Sequence, residues 1–155
     1  MTNVLIALSN GLHVLATIVM VGYYLFTGLI YLPVLERQMR ASTLCGLLEQ
    51  VSARLRPYFG GSLLIFLVTG IYLMLVNPSY PGFGKIFANP WTVFMVVKHV
   101  LVIAFLALAM YAERAFLPRI SEENPTALQR FHWALNINTV TGIAIILLTS
   151  LAQAG

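Results

Sequence analysis

Charged side chains are scarce in this chain. Of its 155 residues only 9% are charged, against a hydrophobic share of 59% and a mean hydropathy of +0.86. A soluble domain carries about 25% charged residues, so the composition excludes a protein that is solvated on all sides. It predicts one polytopic membrane domain over residues 1–155, with room for about four spans of roughly 20 residues each.

Cysteine is nearly absent as well, because Cys45 is the only one. One thiol excludes an internal disulfide, a four-cysteine iron–sulfur site and covalent haem attachment through Cys-x-x-Cys-His. A cofactor would therefore be held by His, Met, Lys or Tyr. The carboxylates lie in predicted loops or at helix ends, which counts against a zinc site. No basic cluster is interleaved with aromatic residues, so we expect no nucleic acid partner.

Apolar runs of membrane length predict four spans, at about residues 4–32, 58–76, 91–117 and 128–152. The expected fold is an all-α integral membrane protein, a four-helix transmembrane bundle. Leucine and valine recur every three or four residues from 44 to 55, which predicts an interfacial amphipathic helix between spans one and two. The first ten residues carry no Lys or Arg, so we expect the first helix to be retained rather than cleaved as a signal peptide.

Arginine is concentrated in two of the three connections between spans. Four arginines lie between spans one and two and three lie between spans three and four, whereas the remaining connection holds only Lys85. The positive-inside rule then places the Arg-rich loops in the cytoplasm and both termini outside. We expect a bacterial inner membrane as the location and the lipid bilayer as the main partner.

His13, Lys98 and His99 stand well inside predicted spans, away from the span ends, where ionisable groups are costly and often functional. In this topology His13 and His99 both lie roughly 12–14 Å below the outer ends of their helices. Matched depth predicts that His13 and His99 are the two axial ligands of one b-type haem. Lys98 is the alternative ligand or the partner of a haem propionate. A buried histidine that only hydrogen-bonds a Thr or Tyr is the simpler alternative.

Polar and small residues at helical spacing predict which faces point inward. On the first span the face consists of His13, Thr17, Met20, Tyr24, Gly28 and Tyr31. Gly60, Gly61 and Gly70 on the second span predict close helix packing. On the fourth span Asn136 and Thr139 are candidate cofactor contacts that could guide a proton or bind a quinone or porphyrinogen. His132 is a secondary candidate for a propionate or substrate, with an interfacial role as the alternative.

Four segments carry a resemblance to a known family: GLHVLATIVMVGYYLFTGLIYLPVL, TGIYLML, VKHVLVIAFLALAMY and RFHWALNINT. Together they resemble the HemJ-type protoporphyrinogen oxidases, and the outline is similar to the related CopD-type copper-resistance membrane domain. The HemJ resemblance implies that His13 ligates haem b and that Lys98 is the essential, catalytic lysine. It also implies porphyrinogen oxidation coupled to electron transfer into the membrane chain. Met20 replaces the tryptophan of that family, and the fourth span lacks its glutamate and proline.

The function expected from these observations is a haem b-binding redox protein of the membrane. It would be either a stand-alone oxidoreductase or an electron-transferring subunit of a larger membrane complex or homo-oligomer. Two alternatives stay open. One is a copper-handling membrane protein, and the other is a structural subunit without a cofactor.

Overall fold

The fold is entirely helical in the computed structural model, which describes residues 2–85, 87, 89–121 and 123–154. Five α-helices follow one another along the chain: α1 (Thr2–Phe26), α2 (Leu32–Glu36), α3 (Ala41–Leu75), α4 (Pro90–Tyr111) and α5 (Pro125–Ala154). A π-helical turn, Thr27–Tyr31, joins α1 to α2 without a break. A second π-helical turn, Ala112–Phe116, and a 3₁₀ turn, Leu117–Arg119, extend α4.

Four helical segments in the described part of the chain are long and apolar enough to cross a membrane: Asn3–Glu36, Ala41–Leu75, Pro90–Arg119 and Pro125–Leu151. Between 11% and 33% of the apolar window of each segment is buried within the protein. The remaining apolar surface is the surface that a lipid bilayer would cover. The prediction of an all-α bundle with four spans is confirmed.

The prediction of a separate interfacial helix before the second span is wrong. Helix α3 is continuous over 35 residues and contains Pro57. Its buried residues follow one stripe at helical spacing over the whole length: Leu44, Leu48, Ser52, Phe66 and Thr69. Helix α3 packs mainly on α1 and also contacts α2 and the 3₁₀ turn that extends α4. Pro57 lies on the exposed side, where α3 tolerates its missing N–H group.

Helix α4 begins where the sequence predicted, within one residue, because its first turn is capped. The Asn89 side chain accepts a hydrogen bond from the backbone N–H of Thr92 at 2.9 Å, and the Thr92 side chain pairs with the Asn89 backbone. Pro90 occupies the first turn, where a missing N–H group costs nothing. These contacts fix the depth at which the residues of α4 enter the bundle.

Helix α1 is the centre of the packing. It lies against α3 and α5, and α4 lies against α5, whereas α3 and α4 make no comparable backbone contact. A Cβ atom at Gly142 of α5 would lie 2.6 Å from Cγ1 of Val21, so α1 and α5 approach too closely there for any side chain. The gap between α3 and α4 therefore remains open at one end of the bundle.

The predicted inward face of the first span is confirmed by burial. His13, Met20, Tyr24 and Gly28 are buried, and Thr17 and Tyr31 are half-buried. The predicted role of the glycines on the second span holds only for Gly70. Gly60 and Gly61 are exposed and have no heavy atom of a neighbouring group within 4 Å of a Cβ position.

Candidate functional site

His13 is held by two groups of α3, both at the same ring nitrogen. Nδ1 lies 3.1 Å from the carbonyl oxygen of Phe66 and 3.0 Å from Oγ1 of Thr69. The Thr69 hydroxyl donates its own proton to the carbonyl of Ile65 at 2.6 Å, so it accepts from His13. A carbonyl oxygen can only accept as well. Nδ1 therefore carries the proton, and Nε2 keeps its lone pair.

The orientation of the His13 ring is fixed by contacts on its faces and edge. The imidazole stacks on the ring of Phe66 with a centroid separation of 4.3 Å and an interplanar angle of 22°. A Cβ atom at Gly70 would approach Cε1 of His13 to 3.0 Å, so the absence of a side chain at Gly70 makes room for the ring. Nε2 has no hydrogen-bond partner among the described residues. His13 thus presents a preoriented, unprotonated nitrogen.

Lys98 reaches the same place from α4. It is 9% exposed, and its Nζ atom lies 5.9 Å from the centroid of the Phe66 ring. No hydrogen bond or ion pair satisfies its amine within the described part of the chain. A lysine in a membrane span normally pairs with another group or lines a functional path. The unpaired amine beside His13 therefore marks this place as a site rather than as ordinary packing.

The depth of the site follows from helix geometry. Lys98 is about 12 Å along α4 from its start at Pro90, and Thr69 is about 9 Å along α3 from its end at Leu75. His13 lies about 16 Å from the start of α1. All three are near the end of the bundle that carries the 76–89 connection. We refer to His13, Phe66, Thr69 and Lys98 as the His13 site.

His99 is not among the groups that the fold gathers at the His13 site. Its side chain is exposed on α4, and its Nδ1 atom lies 2.6 Å from the carbonyl oxygen of Met95 in the same helix. Adjacent residues on a helix differ by about 100° in direction, and in α4 Lys98 is buried whereas His99 is exposed. The pairing of His13 with His99 as axial ligands stays a prediction. The described residues contain no cluster of three or more His, Cys, Asp or Glu side chains suited to a metal ion.

The candidates on α5 lie away from the His13 site. His132 is half-buried and pairs with Glu36, with Nδ1 3.6 Å from Oε1, near the Arg-rich end. Asn136 is exposed. The buried Thr139 donates to the carbonyl of Leu135 in its own helix at 3.0 Å. The interfacial role of His132 and a contact of Asn136 or Thr139 with a cofactor both stay predictions.

The sequence pattern missed the most buried polar residue of α5. Asn138 is 1% exposed, and its amide bridges to the backbone of α4. With the amide oriented to satisfy both polar atoms, Nδ2 donates to the carbonyl of Phe105 and Oδ1 accepts from the N–H of Ala109, each at 3.3 Å. The sequence does contain a signal for this contact, because an amide in the middle of a span is costly unless it is hydrogen-bonded.

Two of the cavities in the described part of the protein have volumes of about 400 Å³, and His13, Phe66, Thr69 and Lys98 do not line either of them. One lies on the surface of the first span, between residues 29 and 38. The other, which we call the α3–α4 groove, runs between α3 and α4 and is lined in part by Tyr23, Arg56, Phe59 and Glu113.

Comparison with known proteins yields one match. A family model described as copper resistance protein D matches residues 49–152. The match includes Phe66, Thr69 and Lys98, and His13 lies outside it. No curated protein and no solved structure matches the chain. The resemblance to the copper-resistance domain is confirmed, whereas the resemblance to the HemJ-type oxidases stays a prediction.

Proposed function

The chain belongs to the copper resistance protein D family, because the family model matches more than half of it. On this premise we propose that the protein binds copper within the membrane and passes it on. Four apolar spans together with this family make it an integral membrane protein. The description of the family names copper, and the chain offers nitrogen donors inside its spans. The contacts of His13 decide which atom meets the ion.

The observation that carries the proposal is the free Nε2 atom of His13. Thr69 and the Phe66 carbonyl hold the Nδ1 proton, which directs the lone pair to Nε2. Imidazole nitrogen is a suitable ligand for copper. Histidines that bind metals almost always donate their other N–H group to a carbonyl or a polar side chain, as His13 does. His13 is therefore the first copper ligand in this proposal.

Lys98 is the second nitrogen of the proposed site. The residue is 9% exposed, and its amine lies beside Phe66 with no hydrogen bond or ion pair among the described residues. A neutral amine can donate its lone pair to copper, whereas an ammonium group would repel the cation. Copper binding is therefore accompanied by loss of the Lys98 proton. Two nitrogen donors without a third protein ligand suit an ion that is passed on rather than stored.

The test is copper binding by the detergent-purified protein, measured by competition with a coloured copper chelator. The wild-type protein is expected to bind copper, and His13→Ala is expected to lose at least tenfold in affinity, the loss of about one strong ligand. His99→Ala is the matched control, since His99 is exposed and bonded within its own helix. Equal copper affinity of His13→Ala and wild type would overturn the proposal.

A second candidate function is haem b binding. It is favoured because the Lys98 amine lies over the Phe66 ring, on which the His13 ring stacks. Nε2 of His13 could serve as one axial ligand, and an ammonium group at Lys98 suits a propionate. The fit is incomplete, because the proposed second ligand, His99, is exposed. A Soret band that disappears in His13→Ala would favour haem, with a quinone or porphyrinogen as the reaction partner. A colourless protein that binds no copper would favour a structural subunit.

We also propose that both termini lie outside and that the Arg-rich loops lie in the cytoplasm. Arg37 and Arg40 precede α3, Arg54 and Arg56 lie about 20 Å along it, and Arg114, Arg119 and Arg130 lie around the connection from α4 to α5. All seven are toward the same end of the antiparallel bundle, away from the 76–89 connection. The positive-inside rule assigns that end to the cytoplasm, which places the His13 site in the outer half of the membrane.

A further inference from the structure

The α3–α4 groove has a polar end and an apolar end. Its volume is about 400 Å³, which is within the range of ligand-binding clefts. Phe59, Leu63 and Leu106 line one end, and Arg56, Glu113 and Arg114 line the other. The distance from Leu63 to Ser52 along α3 is about 16 Å, and the distance from Leu106 to Arg114 is about 12 Å. The groove is therefore long, narrow and amphipathic.

The charged end of the groove carries two guanidinium groups and one carboxylate, and Arg56 and Arg114 both lie within electrostatic reach of Glu113. Within the described residues, neither Arg56 nor Arg114 has a carboxylate within ion-pair distance, and Glu113 is also outside such a pair. The two guanidinium groups give this end a net positive charge. Tyr23 and Ser52, whose side-chain oxygens lie 3.3 Å apart, form its polar wall. An anionic group that could accept hydrogen bonds from both arginines would complement this end.

The backbone is irregular beside the same end. Glu113 and Arg114 belong to the π-helical turn Ala112–Phe116, and the π-helical turn of the first span, Thr27–Tyr31, begins one helical turn after Tyr23 and Tyr24. Single π-helical turns inside α-helices are often found at functional sites. Gly60 also lines the groove, and no neighbouring heavy atom lies within 4 Å of a Cβ position there. The groove therefore has free space beside Gly60 on α3.

We propose that the α3–α4 groove binds one phospholipid with an anionic, hydroxyl-bearing headgroup. Its phosphate accepts hydrogen bonds from Arg56 and Arg114, and a headgroup hydroxyl donates to the Glu113 carboxylate. An acyl chain lies along Phe59, Leu63 and Leu106. The groove opens beside the exposed side chain of Met110, on a surface that lipid covers, so a lipid can enter sideways from the bilayer. Basic clefts between helices at the cytoplasmic side are typical sites for anionic headgroups.

The test compares lipid retention by purified variants in native mass spectrometry. The full-length protein is exchanged into detergent with equal amounts of phosphatidylglycerol and phosphatidylcholine. The groove variant Arg56→Gln/Arg114→Gln is compared with Arg54→Gln/Arg119→Gln. The control removes the same charge from exposed positions at the same end of the bundle that do not line the groove. Gly60→Leu fills the apolar part and leaves both arginines in place.

We expect wild type and the control to retain phosphatidylglycerol over phosphatidylcholine by about tenfold, and the groove variant to lose this preference. Gly60→Leu should lose retention of the lipid, which separates binding in the groove from attraction to surface charge. Equal retention of the two lipids by wild type, or equal loss in groove and control variants, would refute the proposal. Displacement of the lipid by millimolar glycerol 3-phosphate would also refute it, because the groove would then bind a small anion.

Discussion

Replacing Thr69 by Val tests whether the contacts of His13 prepare it for copper. The substitution keeps the shape of the side chain and removes the hydroxyl that accepts the Nδ1 proton at 3.0 Å. Loss of a partner in the second shell of a metal site typically lowers affinity about 10–100-fold. We expect the lower end of this range, about tenfold or 1.4 kcal/mol, because the Phe66 carbonyl at 3.1 Å still holds the proton.

The structure also predicts that Thr69→Val barely changes stability. No buried donor loses its last partner, and a hydrogen bond between membrane helices contributes about 0.6 kcal/mol on average. Copper affinity, measured by chelator competition, should therefore fall much more than the midpoint of unfolding in a detergent titration. Thr69→Ser keeps the hydroxyl and should retain copper affinity near that of wild type. Unchanged affinity in Thr69→Val, with copper still lost in His13→Ala, would show that the hydroxyl does not orient the ring.

Two further predictions concern the bundle itself. Gly142→Ala should destabilise the protein by about 1–3 kcal/mol in the same unfolding titration, because its Cβ would lie 2.6 Å from Cγ1 of Val21. Gly46→Ala, whose Cβ meets nothing within 4 Å, should leave stability equal or slightly higher, and an equal loss in both would contradict the close approach of α1 and α5. A reporter enzyme that is active only outside the cytoplasm, fused after residue 155, should be active. An inactive fusion that is correctly inserted would reverse the proposed topology.

The sequence predicts well how deep a residue lies in the membrane, and it predicts poorly whether the side chain faces the bundle. Span boundaries and helical rise place His13, Lys98 and His99 at similar levels from hydrophobicity alone. Which of two adjacent residues faces inward depends on the rotation of α4, which is set by its packing on α5. The structure turns Lys98 inward and leaves His99 exposed. The first span is easier to orient, because its non-aliphatic residues already follow a single face.

Two other predictions differ from the structure, namely the boundary inside α3 and the inward-facing residues of α5, and the differences have separate physical causes. The apolar run that predicts the second span begins only after the arginines of the preceding connection, so the sequence indicates a boundary there. Packing of α3 on α1, on α2 and on the 3₁₀ turn after α4 continues across that boundary. On α5, Asn136 and Asn138 are equivalent by composition, and they differ by about 200° in direction. Only the position of α4 decides that Asn138 is the buried amide that bridges two helices.

The residues of the His13 site come from different spans, and this explains why the proposed ligand lies outside the segment that the family model matches. Phe66 and Thr69 lie in the matched segment of α3 and orient the ring, while His13 lies on α1, outside the match. The proposed ligand thus lies on one helix, and the residues that orient its ring lie on another. Copper affinity should therefore depend on the contact between α1 and α3, at which Gly70 leaves only 3.0 Å between a Cβ position and the imidazole. The proposed copper site of this chain would be a product of helix packing and not of a local sequence motif.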